Sequence, residues 1–341
     1  VDKKVIFAVA GSGKTTLILD SLCLERRAII ITYTNNNLEN LRNGIVRKWG
    51  YIPENIKLLS YFNFLYTYCY RPFLSFTIRA KGINWKPNLN IYAKNDARYI
   101  DDYNRLYSNR IAKLLEEKQA LQDVNDRLSK YFDIIFIDEV QDFAGHDFNL
   151  LKSIAKTQVE MLFVGDFYQH TFDTSRDGKV NSTLHDDYAK YKQVFEKMGV
   201  KVDTASLIKS HRCNAEICNF ILEKIGIAIK SHRADTSQIK IVDNDNDAQQ
   251  LFRDNNIIKL FYQEHQKYGC HSRNWGECKG EDKYNDVCVV LNKNTWDHYN
   301  KNILSNLPAQ TKNKLYVACS RTKKDLYIVS DEYYKQHKKK N

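Results

Sequence analysis

The chain has 341 residues, enough for two domains of ordinary size, and 43% of them are hydrophobic, enough to build cores. Lysine and arginine number 52 against 41 aspartates and glutamates, a formal net charge of +11 that favours a polyanionic partner, nucleic acid first and an acidic membrane surface second. No apolar run reaches transmembrane length, no signal peptide opens the chain, and the eight cysteines are scattered without a CxxC pair, which sets aside a membrane span and a disulfide framework and predicts free thiols in a cytoplasmic protein.

Val5-Ile6-Phe7 reads as a short buried strand. It runs into Ala8-Val9-Ala10-Gly11-Ser12-Gly13-Lys14-Thr15-Thr16, and Leu17 to Leu24 is compatible with a helix. Strand, glycine loop and helix in that order make a phosphate-binding loop. Gly11 and Gly13 let the backbone curl around Ser12 so that N–H groups face an anion, and the helix N-terminus adds its dipole. Lys14 is placed to reach β- and γ-phosphates, and the Thr15 hydroxyl, with Thr16 beside it, to take a Mg²⁺ coordination position. Ala8 stands where the strict pattern has glycine.

Ala28 to Asn35 and Leu58 to Asn63 read as further buried strands with polar ends, the form of parallel strands covered on both faces. Between them Leu38, Leu41 and Ile45 give residues 36–49 helical spacing. Residues 66–128 differ: tyrosines and basic residues are dense, and Arg105 to Leu128 reads as helix. This stretch is expected to be a small helical insertion, whose aromatics suit either stacking on single-stranded bases or packing of its own core. Phe132 to Ile137 is an apolar strand that sets Asp138 and Glu139 at its tip, one to hold Mg²⁺ through water and the other to orient or deprotonate an attacking water. Met161 to Gln169 repeats the pattern, with Gln169 placed to sense a γ-phosphate. From Val202 the pattern restarts. Ala205 to Arg212 ends in a cation, Cys213 to Gly226 is helical in spacing, and Val287–Leu291 and Leu326–Val329 are buried strands. Asp243 to Asp247 reads as a surface loop, and Lys335 to Lys340 as a solvated basic tail.

Taken in order, AxxGSGKTT, the TYTN of residues 32–35, DEVQD, GDxxQ, a strand-terminal HR, KGE and YVACSRTKKDLYI resemble the motif series of UvrD/Rep-like superfamily 1 DNA helicases. The resemblance implies an α/β fold of two RecA-like parallel-sheet domains, with ATP and Mg²⁺ between them and a small insertion in the first. Residues 1–65 and 129–203 would form the first domain, 66–128 the insertion and 204–341 the second. Gly11, Ser12, Gly13, Lys14, Thr15 and Thr16 would hold nucleotide, with Gly280 and Glu281 added from the KGE motif. Thr15 and Asp138 would hold the metal, and Glu139, Gln169, Arg212 and Arg321 would be catalytic, the arginines as fingers. Thr32, Tyr33, Asn35, Phe62 and Phe172 would line a single-strand channel, although Thr174 stands where the family has a tryptophan. The activity implied is ATP-driven translocation on single-stranded DNA, RNA being second. Arg212 and Lys279 lie too close for the family's large accessory domain, so the motor is compact. The alternative is an ATPase sensor subunit partnered with a nuclease or a phage-defence effector.

Overall fold

The computed structural model describes residues 1–88, 90, 92–171 and 178–339. Taking those residues only, the chain divides into two compact units. The first comprises Val1–Phe7, Lys14–Gly165 and the described part of 172–203; the second comprises Ala8–Gly13, Asp166–Thr171 and the described part of 204–341.

In the first unit β1 (Lys3–Phe7), β2 (Ala28–Thr32), β3 (Ile56–Ser60), β6 (Ile134–Asp138), β7 (Glu160–Gly165) and β8 (Lys201–Asp203) form one parallel sheet in the order β3-β2-β6-β7-β1-β8. The intervening β4 (Gly82–Asn84) and β5 (Arg105–Tyr107) pair with each other within the insertion. Every residue of β2 and β6 is buried, which is why these strands read as unbroken apolar runs. Register puts Asp138 opposite Val164, and Phe7 opposite Gly165, so the strand tips of β6, β7 and β1 share one edge. Parallel strands all deliver their C-terminal loops to the same edge, where open α/β sheets build sites.

The second unit has a parallel sheet of β11 (Ile239–Val242), β12 (Ile258–Phe261), β13 (Ser272–Asn274), β14 (Val287–Leu291) and β15 (Leu326–Ser330), ordered β11-β15-β14-β12-β13. The short β9 (Lys209–Ser210) and β10 (Lys230–Ser231) pair separately. Alternation sorts this core into two faces. Val287, Val289, Leu291 and Ile328 pack with the helix Ala309–Cys319, whereas Cys288, Val290 and Val329 pack with Leu251, Phe252 and Tyr334. Both units are thus α/β with parallel sheets, the RecA-like form expected. Among the described residues no helix is long and apolar enough to cross a membrane.

Three local expectations are corrected. The strand expected through Asn63 stops at Ser60, because the Ser60 hydroxyl accepts the Asn63 N–H at 3.3 Å and caps a helical turn there. The single helix expected from Arg105 to Leu128 is instead β5, a 3₁₀ turn and two helices, Ile111–Glu117 and Leu121–Tyr131, parted at Gln119, whose φ of 57° no helix continues through. The loop expected at 243–247 contains a helix start: Asn244 accepts the Asp247 N–H at 3.0 Å and caps the helix Asp245–Arg253.

Candidate functional site

The loop after β1 is built by its glycines. Gly11 and Gly13 sit at φ +68° and +90°, left-handed values that expose successive N–H groups on one side. A Cβ on Gly11 would stand 2.7 Å from Cβ of Arg212 and 2.9 Å from Oγ of Ser210, so glycine alone lets the Ser210–Arg212 segment lie against the loop. The His211 N–H then donates to the Gly11 carbonyl at 2.8 Å. Ser12 is buried, and its hydroxyl has no hydrogen-bond partner. An orphaned donor inside a curl of N–H groups is what a phosphate oxygen would satisfy.

A buried relay in the second unit ties this loop to two other segments. The Ala10 N–H donates to the Tyr316 hydroxyl at 2.9 Å, and that hydroxyl donates to Asp166 Oδ2 at 2.9 Å. The same carboxylate oxygen accepts from Gln169 Nε2 at 2.7 Å, and Asp166 Oδ1 accepts the Tyr168 N–H at 3.2 Å. Burial, and then the Asp166 charge, push the Tyr316 phenol well above its ordinary pKa, so it stays a donor. Gln169 is therefore aimed by Asp166. Tyr316 and Asp166 were not singled out from the sequence; each is the interior residue of a motif that was.

In the first unit Asp138 and Glu139 are both buried at the end of β6. Thr32 Oγ1 donates to Asp138 Oδ2 at 3.1 Å, and Asn37 Nδ2 reaches both carboxylates, at 3.2 Å to Asp138 and 3.0 Å to Glu139. Gln141 Nε2 donates to the other Glu139 oxygen at 2.5 Å. Burial, then the neighbouring Glu139 charge, raise Asp138 to about 7, and Lys14 opposes the shift. Two buried carboxylates facing a lysine are short of positive charge, which a divalent cation would supply; Thr15 follows Lys14 in the helix Lys14–Asp20 and adds a hydroxyl. Glu139 takes φ 56°, a left-handed value rare for a residue with a side chain, and this turns its carboxylate out of the strand direction. Asn37 is placed by sequence-local means, since Thr34 caps the helix Asn35–Trp49 by accepting the Asn37 N–H at 3.2 Å. That cap signal could have found Asn37.

The cations of the second unit are already engaged. Arg212 Nε pairs with Asp282 Oδ1 at 2.7 Å, and its Nη1 donates to the Ser320 carbonyl at 3.2 Å. Arg321 is buried and donates to the carbonyls of Val317 at 3.2 Å and Glu281 at 3.1 Å. Burial lowers its pKa from the free value. Of the two acids in the KGE segment, Asp282 faces Arg212, whereas Glu281 takes the Tyr284 hydroxyl and lies 3.8 Å from Arg273. Gly280, at φ 80°, makes the bend between them and Lys279. His211 stacks face to face on His232 at 4.1 Å, a pair no sequence pattern suggested.

Of the residues expected along a single strand, Tyr33 and Phe62 are half-buried and touch, ring centroids 5.6 Å apart, and Asn35 is exposed at the start of its helix. Thr32 is fully buried beneath them with its hydroxyl committed to Asp138, which places it with the acid pair and off the surface. Phe172 lies outside the described residues, as does Thr174.

Residues 2–173 match the family described as an AAA domain, and residues 93–330 match the viral superfamily 1 RNA helicase core domain. Among solved structures, the chain is similar to the arterivirus nonstructural protein 10 helicase, at 13% identity and a TM-score of 0.51 over 98% of this chain and 62% of that one. It is likewise similar to the complex of arterivirus nonstructural protein 10 with DNA, at 15% identity and a TM-score of 0.52 over 98% and 61%. The chain therefore spans about three-fifths of the length of these two helicases, and the likeness is one of fold. No curated protein matches by sequence.

Proposed function

Given that the chain belongs to the superfamily 1 helicases, we propose that it is an ATP-hydrolysing motor on single-stranded nucleic acid, of the UvrD/Rep-like kind and acting on DNA. The observation that carries the reading is the pairing, within one chain, of a glycine-curled loop holding the orphaned Ser12 hydroxyl with a buried Asp138–Glu139 pair opposed by Lys14. In this reading residues 1–65 and 129–203 are the first RecA-like domain, 66–128 its insertion and 204–341 the second. Gly11 to Thr16 hold the triphosphate of ATP, with Gly280 and Glu281 contributing from the second domain. Thr15 and Asp138 would hold Mg²⁺, which would supply positive charge to the phosphates. Glu139 accepts a proton from the attacking water or orients it, and its bonds to Asn37 and Gln141 fix the carboxylate for that task. Gln169, held by Asp166, senses the γ-phosphate. Arg212 and Arg321 supply planar cations to the transferred phosphoryl group, for which they would exchange the partners they hold now. Tyr33, Asn35 and Phe62 contact the strand.

A second reading, RNA as the strand, is favoured by the match over 93–330 to an RNA helicase core. One experiment separates them: steady-state ATPase with and without single-stranded DNA, RNA and duplex DNA, with Lys14→Ala as blank. Salt-sensitive stimulation by single-stranded DNA above RNA supports the leading reading, and the reverse order supports the second. ATPase indifferent to every nucleic acid overturns both and points to a subunit gated by a protein such as a nuclease.

A further inference from the structure

The ring cluster of the first unit extends further than the two residues expected to touch a strand. Its floor is buried: Tyr61 and Phe143 are 0% and 2% exposed and meet at 4.7 Å. Tyr33 stacks on Tyr61 at 5.5 Å with 26° between the planes, and Phe62 packs edge-on against Tyr33 at 5.6 Å. Beyond Phe62 comes a residue of the insertion, Trp85, whose ring meets Phe62 at 4.8 Å and 83° while 64% of the residue stays exposed. Its exposed face is open to a flat partner such as a base.

Trp85 is held in place on both sides. Asn84 ends β4, where it pairs with Tyr107 of β5, and its Nδ2 donates to Asp101 Oδ2 at 2.8 Å. Its Oδ1 accepts the Lys86 N–H at 3.0 Å, closing a turn around the tryptophan. Asp101 is itself braced by Arg105, at 2.7 Å. The indole is thus braced against Phe62, with Lys86 next in the chain, unlike the exposed Phe76 and Tyr92, for which no ring neighbour braces the side chain among the described residues. A rigid aromatic face beside cations is how single strands are held without sequence preference, one base per ring.

We propose that Trp85 is a base-stacking residue, continuing the Tyr33–Phe62 face onto the insertion and clamping a single-stranded nucleic acid there. This rests on the functional reading above. The chain has four tryptophans, and the other three are otherwise engaged: Trp275 is 0% exposed, Trp296 stacks on Tyr299 at 5.6 Å, and Trp49 lies under Lys48 at 4.7 Å. Stacking should therefore quench emission mainly from Trp85.

The test is titration of a fluorescein-labelled oligo(dT), read by anisotropy, alongside tryptophan emission with unlabelled oligo(dT), on wild type, Trp85→Ala and Trp85→Phe. Trp85→Ala is expected to weaken binding about tenfold. Trp85→Phe keeps a ring, so it is expected to recover most of the affinity while losing the quenching. That second variant also answers any repacking of Phe62 in the alanine protein, which thermal unfolding of all three would reveal. Affinity and quenching unchanged in both variants, in a wild type that binds oligo(dT), would overturn the assignment of Trp85 alone. A wild type that binds neither oligo(dT) nor oligo(U) overturns the functional reading and this proposal with it.

Discussion

Glu139 is where the proposed role can be tested at a single residue. Its carboxylate is buried beside Asp138, and burial, then the Glu139 charge, raise the Asp138 pKa to about 7, so keeping both carboxyls ionised there is costly. Glu139→Gln removes the charge, but Asn37 and Gln141 each donate to one oxygen of this carboxylate, so one of them then faces the new amide NH2. The variant should bind ATP and lose hydrolysis by about 10²–10⁴-fold. Normal turnover would remove Glu139 from the proposed role. Lys14→Ala should lose turnover altogether, for want of the charge at the β/γ-phosphates. Tyr316→Phe is the contrasting case, a structural loss. It strips one hydroxyl from between the Ala10 N–H and Asp166, removing the acceptor of a buried N–H and one of the hydrogen bonds to the Asp166 carboxylate. The cost should be about 1–3 kcal/mol by urea denaturation, with a lower ATPase kcat if Gln169 acts in hydrolysis.

Elements carry the next level of the argument, because strand tips and caps decide where these residues stand. Gly165 closes β7 with so little room that a Cβ would lie 2.3 Å from Gln141 Oε1 and 2.8 Å from Val140 Cγ1. Gly165→Ala should therefore destabilise the first unit by about 1–3 kcal/mol and displace Gln141 from Glu139, seen as a lower unfolding midpoint together with slower hydrolysis. At the other end of the sheet Arg27, just before β2, holds Asp133, just before β6, at 2.7 Å. The Arg27 guanidinium, then its backbone N–H, pull the Asp133 pKa down to about 2. A carboxyl depressed in the folded state stabilises fully above its unfolded pKa, near 4, and that contribution fades as pH falls toward about 2. Both groups are solvent-exposed, so the effect is small and screened by salt. Asp133→Asn should flatten the loss of stability between about pH 5 and 2 in acid titrations followed by circular dichroism.

At the scale of the molecule, the net charge of +11 predicts how a strand is gathered. Binding through lysine and arginine releases counterions, so the nucleic-acid concentration giving half-maximal ATPase should rise steeply between about 50 and 200 mM salt. A salt-independent value would place the contacts on aromatic rings alone.

Much of this was legible in the chain itself. Unbroken apolar runs ending in polar residues fit parallel strands covered on both faces, so β1, β6 and β7, with Lys14, Asp138 and Gln169 at or just beyond their ends, were legible. Turn chemistry was outweighed by apolar spacing at Ser60 and Gln119, where one cap and one left-handed residue ended the expected element, and at Asn244 a cap began a helix inside a polar run expected as loop. What the linear order could not supply was which polar side chains share a buried charge. Asn37 meets Glu139 across 102 positions, Tyr316 meets Asp166 across 150, and Trp85 joins Phe62 from a different segment. Hydrogen bonds and ring contacts act over a few ångströms and ignore sequence distance. The chain's local chemistry thus determined the loop, the acid pair and the parallel sheets, and only the packed structure decided which neighbours hold each group in place.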